Sequence, residues 1–372
     1  MSRLPYLICL LLFATMVAAK FDPETGFTSL LRFGALRTET RLDVLKGLPI
    51  ATVADSNGYD GQFYAQIAVD PSLSSPELSQ VLDAPSYRAR RILAPAAAAA
   101  IGLGRPWWIL QAYALLNVLA WFVFAWLLWS EIGTTTWISF ARWSACLFSL
   151  GTLDSVRQSL VDLPALVLLM LAVRAHSRKA QAPTTAWTAL GSLTKETNLL
   201  GAMALQLDAL GGKTTRPRAM FVLTLGALPL AVWSMYVGQR FGDTFATYSL
   251  GNFSWPLAGL TAHLQYSVAQ LWTGNYDSRH TFGLLGPISL GLQLVVLWRN
   301  PGLSLPWWRI GAAYSILMLF LSAWVWSGYW AACRAVLPMT IAFNLLLPSG
   351  RWFWSLWCLG NITLLHGVWR FL

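Results

Sequence analysis

Residues 107–129 read WWILQAYALLNVLAWFVFAWLLW, and this run of 23 residues, Trp107–Trp129, contains no charged side chain. About 20 consecutive apolar residues are enough for a helix to cross a bilayer. Charged residues make up only 11% of the chain and apolar residues 56%, whereas roughly 25% of an average soluble domain is charged. A soluble protein of 372 residues would not bury several such runs. The sequence therefore predicts an all-α membrane protein that crosses the bilayer several times.

The first 91 residues divide into an apolar start and a long polar loop. Residues 1–20 are expected to form a first transmembrane helix or, alternatively, a signal peptide with Val17 and Ala19 at suitable cleavage positions. Residues 21–91 would then form an extracytoplasmic loop, far longer than an ordinary connection. Its apolar periodicity predicts amphipathic helices lying at the membrane surface, through Phe27, Leu30, Leu31, Phe33 and Leu36. Nine of the sixteen acidic residues fall in this loop: Asp22, Glu24, Glu39, Asp43, Asp55, Asp60, Asp70, Glu77 and Asp83.

The remaining residues, 92–372, form a polytopic helical domain whose threading follows from its basic residues. If the long loop is outside, Trp107–Trp129 runs inward, Trp137–Leu153 outward and Leu163–Val173 inward again. Three basic residues after the third run then lie inside, as the positive-inside rule requires: Arg174, Arg178 and Lys179. Residues 92–103 are too few for a full crossing and suit a re-entrant or interfacial segment. Continued to the end, this threading gives about 11 transmembrane or half-span helices. It also explains the net charge of +10 without a nucleic-acid partner.

The stretch Ala186–Leu210 is either one helix with Lys195 and Glu196 at its centre or two short arms that meet at KET, residues 195–197. Two arms keep the basic residues that follow on the inner side and bring both charges towards the outer side, so we favour them. Broken backbone at membrane depth is tolerated only where protein or a water-filled cavity receives it.

Asp60 is the first candidate for chemistry, in the polar segment SNGYDGQFYAQIAVDP, residues 56–71. Two interpretations are open. The aspartate precedes Phe63 and Ile67, which are one helical turn apart, so it could accept a backbone N–H at the start of a helix. Alternatively, it is a carboxylate at the mouth of a membrane cavity, where it would act as general base for an acceptor hydroxyl.

Several cations fall on the same predicted side of the membrane. The segment YRARRIL holds Arg88, Arg90 and Arg91, which either anchor the chain at the interface or bind a phosphate through their planar forks. Lys195 and Arg334 each interrupt an apolar run, and ionisable groups there are costly unless they serve a function or are paired. Lys195 could pair structurally with its neighbour Glu196 or with Asp162. A carboxylate base and several cations on one face suit the binding of a lipid-linked phosphate while a hydroxyl attacks the carbon attached to it.

The order of these elements resembles the GT-C class of polytopic glycosyltransferases, which use polyprenyl-phosphate sugars and include protein O-mannosyltransferases and lipid A aminoarabinose transferases. The similar features are a short first span, an outer loop with the acidic motif YDGQFY (residues 59–64), and an outer acidic turn at Asp154–Asp162. Leu193-Thr194-Lys195 is similar to the Leu-Thr-Lys of aminoarabinose transferases. GYDGQFYAQIAVDP and YRARRIL together look like a group of bacterial membrane proteins assigned to GT-C by similarity. The resemblance covers residues 1–210, and Glu196 departs from it by standing where a glycine is expected.

The resemblance implies a GT-C-like core in residues 92–210 and variable spans in residues 211–372. It implies a multi-pass protein of the plasma (inner) membrane, with an active site on the extracytoplasmic side, that transfers a sugar with inversion in cell-envelope glycan or glycolipid assembly. Asp60 would activate the acceptor, with Asp55 as second choice. The implied residues for the donor phosphate are Arg88, Arg91, Lys195 and Arg334. The implied supporting residues are Tyr59, Gln62, Tyr64, Asp162, Glu196 and Arg157.

The expected partners are a polyprenyl-phosphate sugar donor, a glycan, lipid or protein acceptor, and membrane lipids. The four cysteines are far apart and form no CxxC motif or His/Cys cluster, so neither a disulfide nor a structural zinc is expected. The resemblance implies no cofactor: a metal is not indicated, because many members of the class work without one. Two further functions stay open. A transporter or flippase for lipid-linked sugars would favour internal repeats and polar residues along its whole path, and neither is evident. A non-catalytic envelope assembly protein would use the long loop to bind a partner.

Overall fold

The computed structural model describes residues 2–133, 136–210, 215–242 and 250–372, and this part of the chain is mostly helical. The first hundred residues contain short elements. Their helices are Leu4–Ala18, the 3-10 turns Thr28–Leu31 and Ala35–Arg37, Asp43–Lys46, Asp60–Val69, Leu78–Val81, Pro85–Ala89 and Leu93–Ile101. Two short strands, Phe33–Gly34 and Thr52–Val53, pair in parallel, with Phe33 opposite Thr52 and Gly34 opposite Val53.

Longer helices follow, joined by breaks and turns. They are Pro106–Ile132, Trp137–Leu147, Leu150–Arg157, Asp162–Ser177, Gln181–Thr194, Asn198–Leu210, Arg216–Phe241, Ala258–Trp272, Ser278–Arg299, Pro306–Leu319, Ala323–Ser327, Tyr329–Ala335, Leu337–Leu346, Phe353–Gly360 and Thr363–Phe371.

Among the described residues, three helices are long and apolar enough to cross a membrane: Pro106–Ile132, Arg216–Phe241 and Ser278–Arg299. The pair Tyr329–Ala335 and Leu337–Leu346 is bent by 65° and would be a fourth if it counts as one broken span. The fold is thus compatible with an all-α membrane protein, and the Trp107–Trp129 run does lie within one unbroken helix of 27 residues. The predicted number of about 11 spans is not supported.

The predicted count of transmembrane or half-span helices is not supported because apolar runs are broken into helices that are short for a bilayer. The run Trp137–Leu153 is divided at Phe148 and Ser149, where the Ser149 hydroxyl accepts a hydrogen bond from the backbone N–H of Thr152 and starts a new helix. Asp162–Ser177 has 16 residues. At 1.5 Å per residue it is about 24 Å long, less than the roughly 30 Å of a hydrocarbon core.

The long loop differs from the prediction of amphipathic helices at the membrane surface. Leu30, Leu31 and Phe33 are fully buried within the protein, against Leu110 and Tyr113 at the start of the helix Pro106–Ile132. A continuous helix cannot form here because Arg32 ends the first 3-10 turn with a positive φ of 57°, and the chain then enters the parallel strand pair. The loop is therefore a small folded unit whose core includes residues of the helices Pro106–Ile132 and Arg216–Phe241.

The helix Arg216–Phe241 also contacts this unit. The Trp233 indole donates a hydrogen bond to the carbonyl of Ala89, and the Arg240 guanidinium donates one to the carbonyl of Leu73. The unit that carries the acidic motif therefore packs against two of the helices long enough to span a membrane.

The stretch Ala186–Leu210 is two helices, as the favoured interpretation expects. Gln181–Thr194 ends at Lys195, whose backbone is extended, and Asn198–Leu210 begins after Thr197. The segment at residues 92–103 contains only the nine-residue helix Leu93–Ile101, too short to cross.

Gly61 places the acidic motif against two other parts of the chain. A Cβ added at Gly61 would lie 2.2 Å from the carbonyl oxygen of Gln158 and 2.9 Å from that of Leu31. These are backbone atoms, which cannot rotate away as a side-chain end could. The start of the helix Asp60–Val69 can approach its neighbours this closely because residue 61 has no side chain.

We expect Gly61→Ala to lower the free energy of unfolding by about 1–3 kcal/mol, the usual cost of forcing extra volume into a packed site. Gly47→Ala is the matched control, since a Cβ at Gly47 meets nothing within 4 Å, and it should change stability by less than about 0.5 kcal/mol. Thermal or denaturant unfolding of the purified protein measures both. Equal stability of the two variants would contradict the close approach at Gly61.

Candidate functional site

A cavity of about 900 Å³ opens between the folded loop and the later helices. Ligand pockets are usually about 300–1,000 Å³. Its polar and charged lining comes from seven separated parts of the chain: Tyr59, Asp60, Tyr64, Asp83, Tyr87, Arg88, Arg91, Asp162, Lys195, Glu196, Thr197, Asn252, Arg279, Ser327 and Arg334. Asp60, Lys195 and Arg334 therefore lie in one cavity, although they are far apart in sequence.

Asp60 is the first residue of the helix Asp60–Val69, and Tyr59 occupies the capping position without a side-chain cap. The Asp60 carboxylate accepts a hydrogen bond from Arg88, with 2.8 Å between Oδ1 and Nη2. The capping interpretation predicts a hydrogen bond to a backbone N–H, whereas the recorded bond comes from this side chain. Asp60 still benefits from its place in the first helical turn, where the helix dipole favours negative charge.

The pKa of Asp60 reflects two opposing effects. Burial would raise it, but the positive charges of Arg88, Arg334 and Arg91, together with the Arg88 hydrogen bond, lower it below the ordinary value of an aspartate. The side chain remains 29% exposed, and no partner of Oδ2 is recorded in the described part of the chain. Asp60 is thus ionised at neutral pH and offers one oxygen to the cavity.

Arg88 joins Asp60 to Asp83. Its Nε and Nη2 atoms lie 2.9 and 2.8 Å from the two carboxylate oxygens of Asp83, a bidentate pair. Asp83 lies two residues before the short helix Pro85–Ala89, which contains Arg88. Arg88 is nearly buried between the two carboxylates and is therefore fixed in orientation.

Arg91 is held by one carboxylate and two phenols. Its Nε lies 3.1 Å from Oε2 of Glu196, and its Nη1 and Nη2 donate to the hydroxyls of Tyr64 and Tyr87. Burial raises the pKa of Tyr64, so this hydroxyl stays protonated and can itself donate to a ligand. Glu196 thus neutralises Arg91 and not its sequence neighbour Lys195.

Asp162 bridges the other two cations. Its Oδ1 lies 2.7 Å from Nζ of Lys195, and its Oδ2 lies 3.3 Å from Nη1 of Arg334. Arg334 also approaches Asp154, at 3.3 Å between Nε and Oδ2, and donates to the hydroxyl of Tyr59 at 2.7 Å. Of the two partners that the sequence leaves open for Lys195, the structure selects Asp162.

Three predicted site residues lie outside the cavity lining. Asp55 is exposed, in a turn with a positive φ of 49°, so the structure does not place it where it could reach a ligand with Asp60. Gln62 is buried and supports the motif: its amide donates to the carbonyl of Asn57 and accepts from the backbone N–H of Gly34. Arg157 lies at the end of the helix Leu150–Arg157, near the basic residues Arg32 and Arg370 and outside the cavity.

Among the lining residues that were not predicted, four bear on the chemistry: Asp83, Tyr87, Arg279 and Trp330. Asp83 and Tyr87 stand beside Arg88 in the sequence, and their spacing around Pro85 could have suggested them. Arg279 and Trp330 gave no such signal, because nothing in their segments indicates that they approach the loop. In the structure, the Trp330 indole contacts the Tyr59 hydroxyl, and the Arg279 guanidinium lies 5.7 Å from the centre of the Trp330 ring.

The cavity carries more positive than negative charge. Its lining includes five cations, Arg88, Arg91, Lys195, Arg279 and Arg334, and four carboxylates, Asp60, Asp83, Asp162 and Glu196. Each cation except Arg279 forms a salt bridge with one of these carboxylates; for Arg279, none is recorded within the described ranges. Arg279 is therefore the cavity cation best placed to take an anionic ligand without first giving up a partner.

No family model, curated protein or solved structure matches this chain. Within the ranges that the structure describes, no group of three or more His, Cys, Asp or Glu residues could hold a metal ion.

Acidification should test the ion pair of Asp60. Its pKa in the folded protein lies below the value of about 3.9 in an unfolded chain, so the pair stabilises the fold above that pH and loses this effect as the pH falls through the folded-state pKa. We expect wild type to melt higher than Asp60→Asn between pH 5 and pH 8, with the difference shrinking below about pH 4. A difference that grows on acidification would contradict the lowered pKa.

Proposed function

We propose that this protein is a glycosyltransferase of the plasma membrane. It moves a sugar from a polyprenyl-phosphate donor to an acceptor on the extracytoplasmic side, in cell-envelope glycan or glycolipid assembly. The observation that carries the proposal is the meeting of Asp60, Lys195 and Arg334 in one cavity. A carboxylate facing several cations is the arrangement that this reaction requires.

In the proposed reaction, the Asp60 carboxylate accepts the proton of an acceptor hydroxyl as its oxygen attacks the anomeric carbon of the sugar. The bond between that carbon and the phosphate oxygen breaks, and the polyprenyl phosphate leaves with the bond's electron pair. One direct displacement inverts the anomeric centre. The lowered pKa keeps Asp60 ionised at neutral pH, although it also makes the carboxylate a weaker base. The proposed proton acceptor is Oδ2, for which no partner is recorded in the described part of the chain.

The cations act on the leaving phosphate. Charge develops on its oxygens as the bond breaks, and preorganised positive groups stabilise such charge without having to reorient. Arg91, Lys195 and Arg334 are held in fixed positions by Glu196 and Asp162. Arg279, at the exposed side of the cavity, would make the first contact with the donor phosphate.

The apolar part of the lining suits the prenyl chain. Leu317, Leu321, Trp324, Val325 and Ala331 line the cavity on the side of the later helices. Trp324 is 79% exposed, and tryptophan is common at membrane–water interfaces. A lipid donor could therefore enter from the bilayer with its phosphate towards the cations.

Asp60→Asn should lower sugar transfer at least 100-fold, within the range of about 10²–10⁴ typical of a general base. The amide can still accept the Arg88 hydrogen bond, so the variant should fold and bind the donor, although it melts lower than wild type. Asp55→Asn is the control, because Asp55 is exposed outside the cavity, and it should retain activity. The assay offers a panel of polyprenyl-phosphate hexoses and pentoses to the purified protein together with an envelope extract.

Full transfer activity in Asp60→Asn would exclude Asp60 as the base. If wild type moves the lipid-linked sugar across vesicle membranes without transferring it, the protein is a transporter and the proposal fails.

Arg279→Gln should raise the KM for the donor about 10- to 100-fold, the cost of losing a charged hydrogen bond to phosphate, with a smaller change in kcat. Arg299→Gln provides the control, since Arg299 is an exposed arginine at the other end of the same helix, Ser278–Arg299. Steady-state kinetics at varied donor concentration separates the two parameters. An unchanged KM in Arg279→Gln would remove Arg279 from the donor site.

A further inference from the structure

A second group of basic side chains lies outside the cavity lining. Its members are Lys20, Arg32, Arg157 and Arg370, and we call it the basic cluster. Arg157 and Arg370 lie in the last turns of two helices, Leu150–Arg157 and Thr363–Phe371. These two helices pack closely, since a Cβ added at Gly367 would lie 3.0 Å from the backbone of Leu150. Lys20 donates a hydrogen bond to the carbonyl of Leu372, one residue past the second helix. The 3-10 turn Thr28–Leu31, which ends at Arg32, packs against the helix Leu150–Arg157. The loop and the two helices thus bring the four cations together.

The basic cluster is short of negative charge. Its recorded carboxylate is Asp154, whose Oδ1 lies 3.2 Å from Nη1 of Arg370, and the same carboxylate is shared with Arg334 of the cavity. No hydrogen bond or ion pair is recorded for the side chains of Arg32 and Arg157 in the part of the chain that the structure describes. Both are half-buried. Half-buried guanidinium groups without counter-charges are costly.

The shortage of negative charge lowers the pKa values of the cluster. Burial, together with the charges of Arg32 and Arg370, lowers the pKa of Arg157 to about 10, against the opposing effects of Asp154 and Tyr59. Burial also lowers the pKa of Lys20, with the charges of Arg157 and Arg32 acting in the same direction. The four cations therefore repel one another, and an anion bound among them would reduce this repulsion.

We propose that Lys20, Arg32, Arg157 and Arg370 form a binding site for a phosphoryl group, supplied by an anionic lipid headgroup or by free phosphate. Three guanidinium forks and an ammonium match the several oxygens of a phosphate, which takes paired N–H donors well. The site is separate from the cavity, and the buried carboxylate of Asp154 lies between the two. It does not rest on the glycosyl-transfer reaction.

The test uses the full-length protein in nanodiscs of phosphatidylcholine. Its melting temperature is measured with inorganic phosphate against chloride at equal ionic strength, and again in discs that contain phosphatidylglycerol. At least one of these anions should raise the melting temperature of wild type by about 2–4 °C. The double variant Arg32→Gln/Arg157→Gln should lose the shift. Without anion it should melt no lower than wild type, because it lacks the repulsion.

A control locates the effect. Arg178→Gln removes an exposed arginine at the end of a different helix and should keep the shift. If the double variant does not fold, Arg157→Lys retains the charge but loses the fork and should weaken the shift. A shift with free phosphate identifies a soluble ligand, and one with phosphatidylglycerol alone identifies a lipid. The proposal is overturned if neither anion stabilises wild type, or if the cluster variants keep the full shift.

Discussion

Asp162 joins two cations that come from distant parts of the chain, and the shape of the cavity depends on this bridge. Lys195 is 33 residues away and Arg334 is 172, yet both lie against its two oxygens. Lys195 stands at the break between two helices, and Arg334 stands in the first half of a bent pair. Removing one partner of such a buried group typically costs about 3–5 kcal/mol. The bridge therefore ties the helix break at Lys195 to the bent pair that carries Arg334.

The sequence allowed the main members of the site to be predicted, because charged residues that interrupt apolar runs must find partners or a polar cavity. Asp60, Arg88, Arg91, Lys195 and Arg334 all line it. Their pairing could not be predicted. Lys195 is adjacent to Glu196 in sequence, but the extended backbone at the helix break directs the two side chains to different partners. Arg279 and Trp330 were missed because only the tertiary fold brings their helices to the loop.

The number of crossings could not be derived for a related reason. Hydropathy reports whether a stretch tolerates an apolar environment, but it does not report where the backbone is interrupted. Ser149 ends one helix and starts another inside a run that is apolar enough to read as one span. Hydropathy was also ambiguous in the loop, because an apolar periodicity suits either a membrane surface or a protein core. Leu30, Leu31 and Phe33 face the protein core and not the membrane surface.

The pairing of the cavity cations has a consequence for any anionic ligand. A phosphate that approaches Arg91, Lys195 or Arg334 meets a cation whose charge is already balanced, so these groups attract it weakly from a distance. They are nevertheless held in place, and their spare N–H donors need no reorientation when charge develops close to them. Attraction of the anionic ligand and stabilisation of the charge that develops on it are therefore the work of different residues. Arg279, exposed and without a carboxylate salt bridge in the described structure, suits the first role, and the fixed cations suit the second.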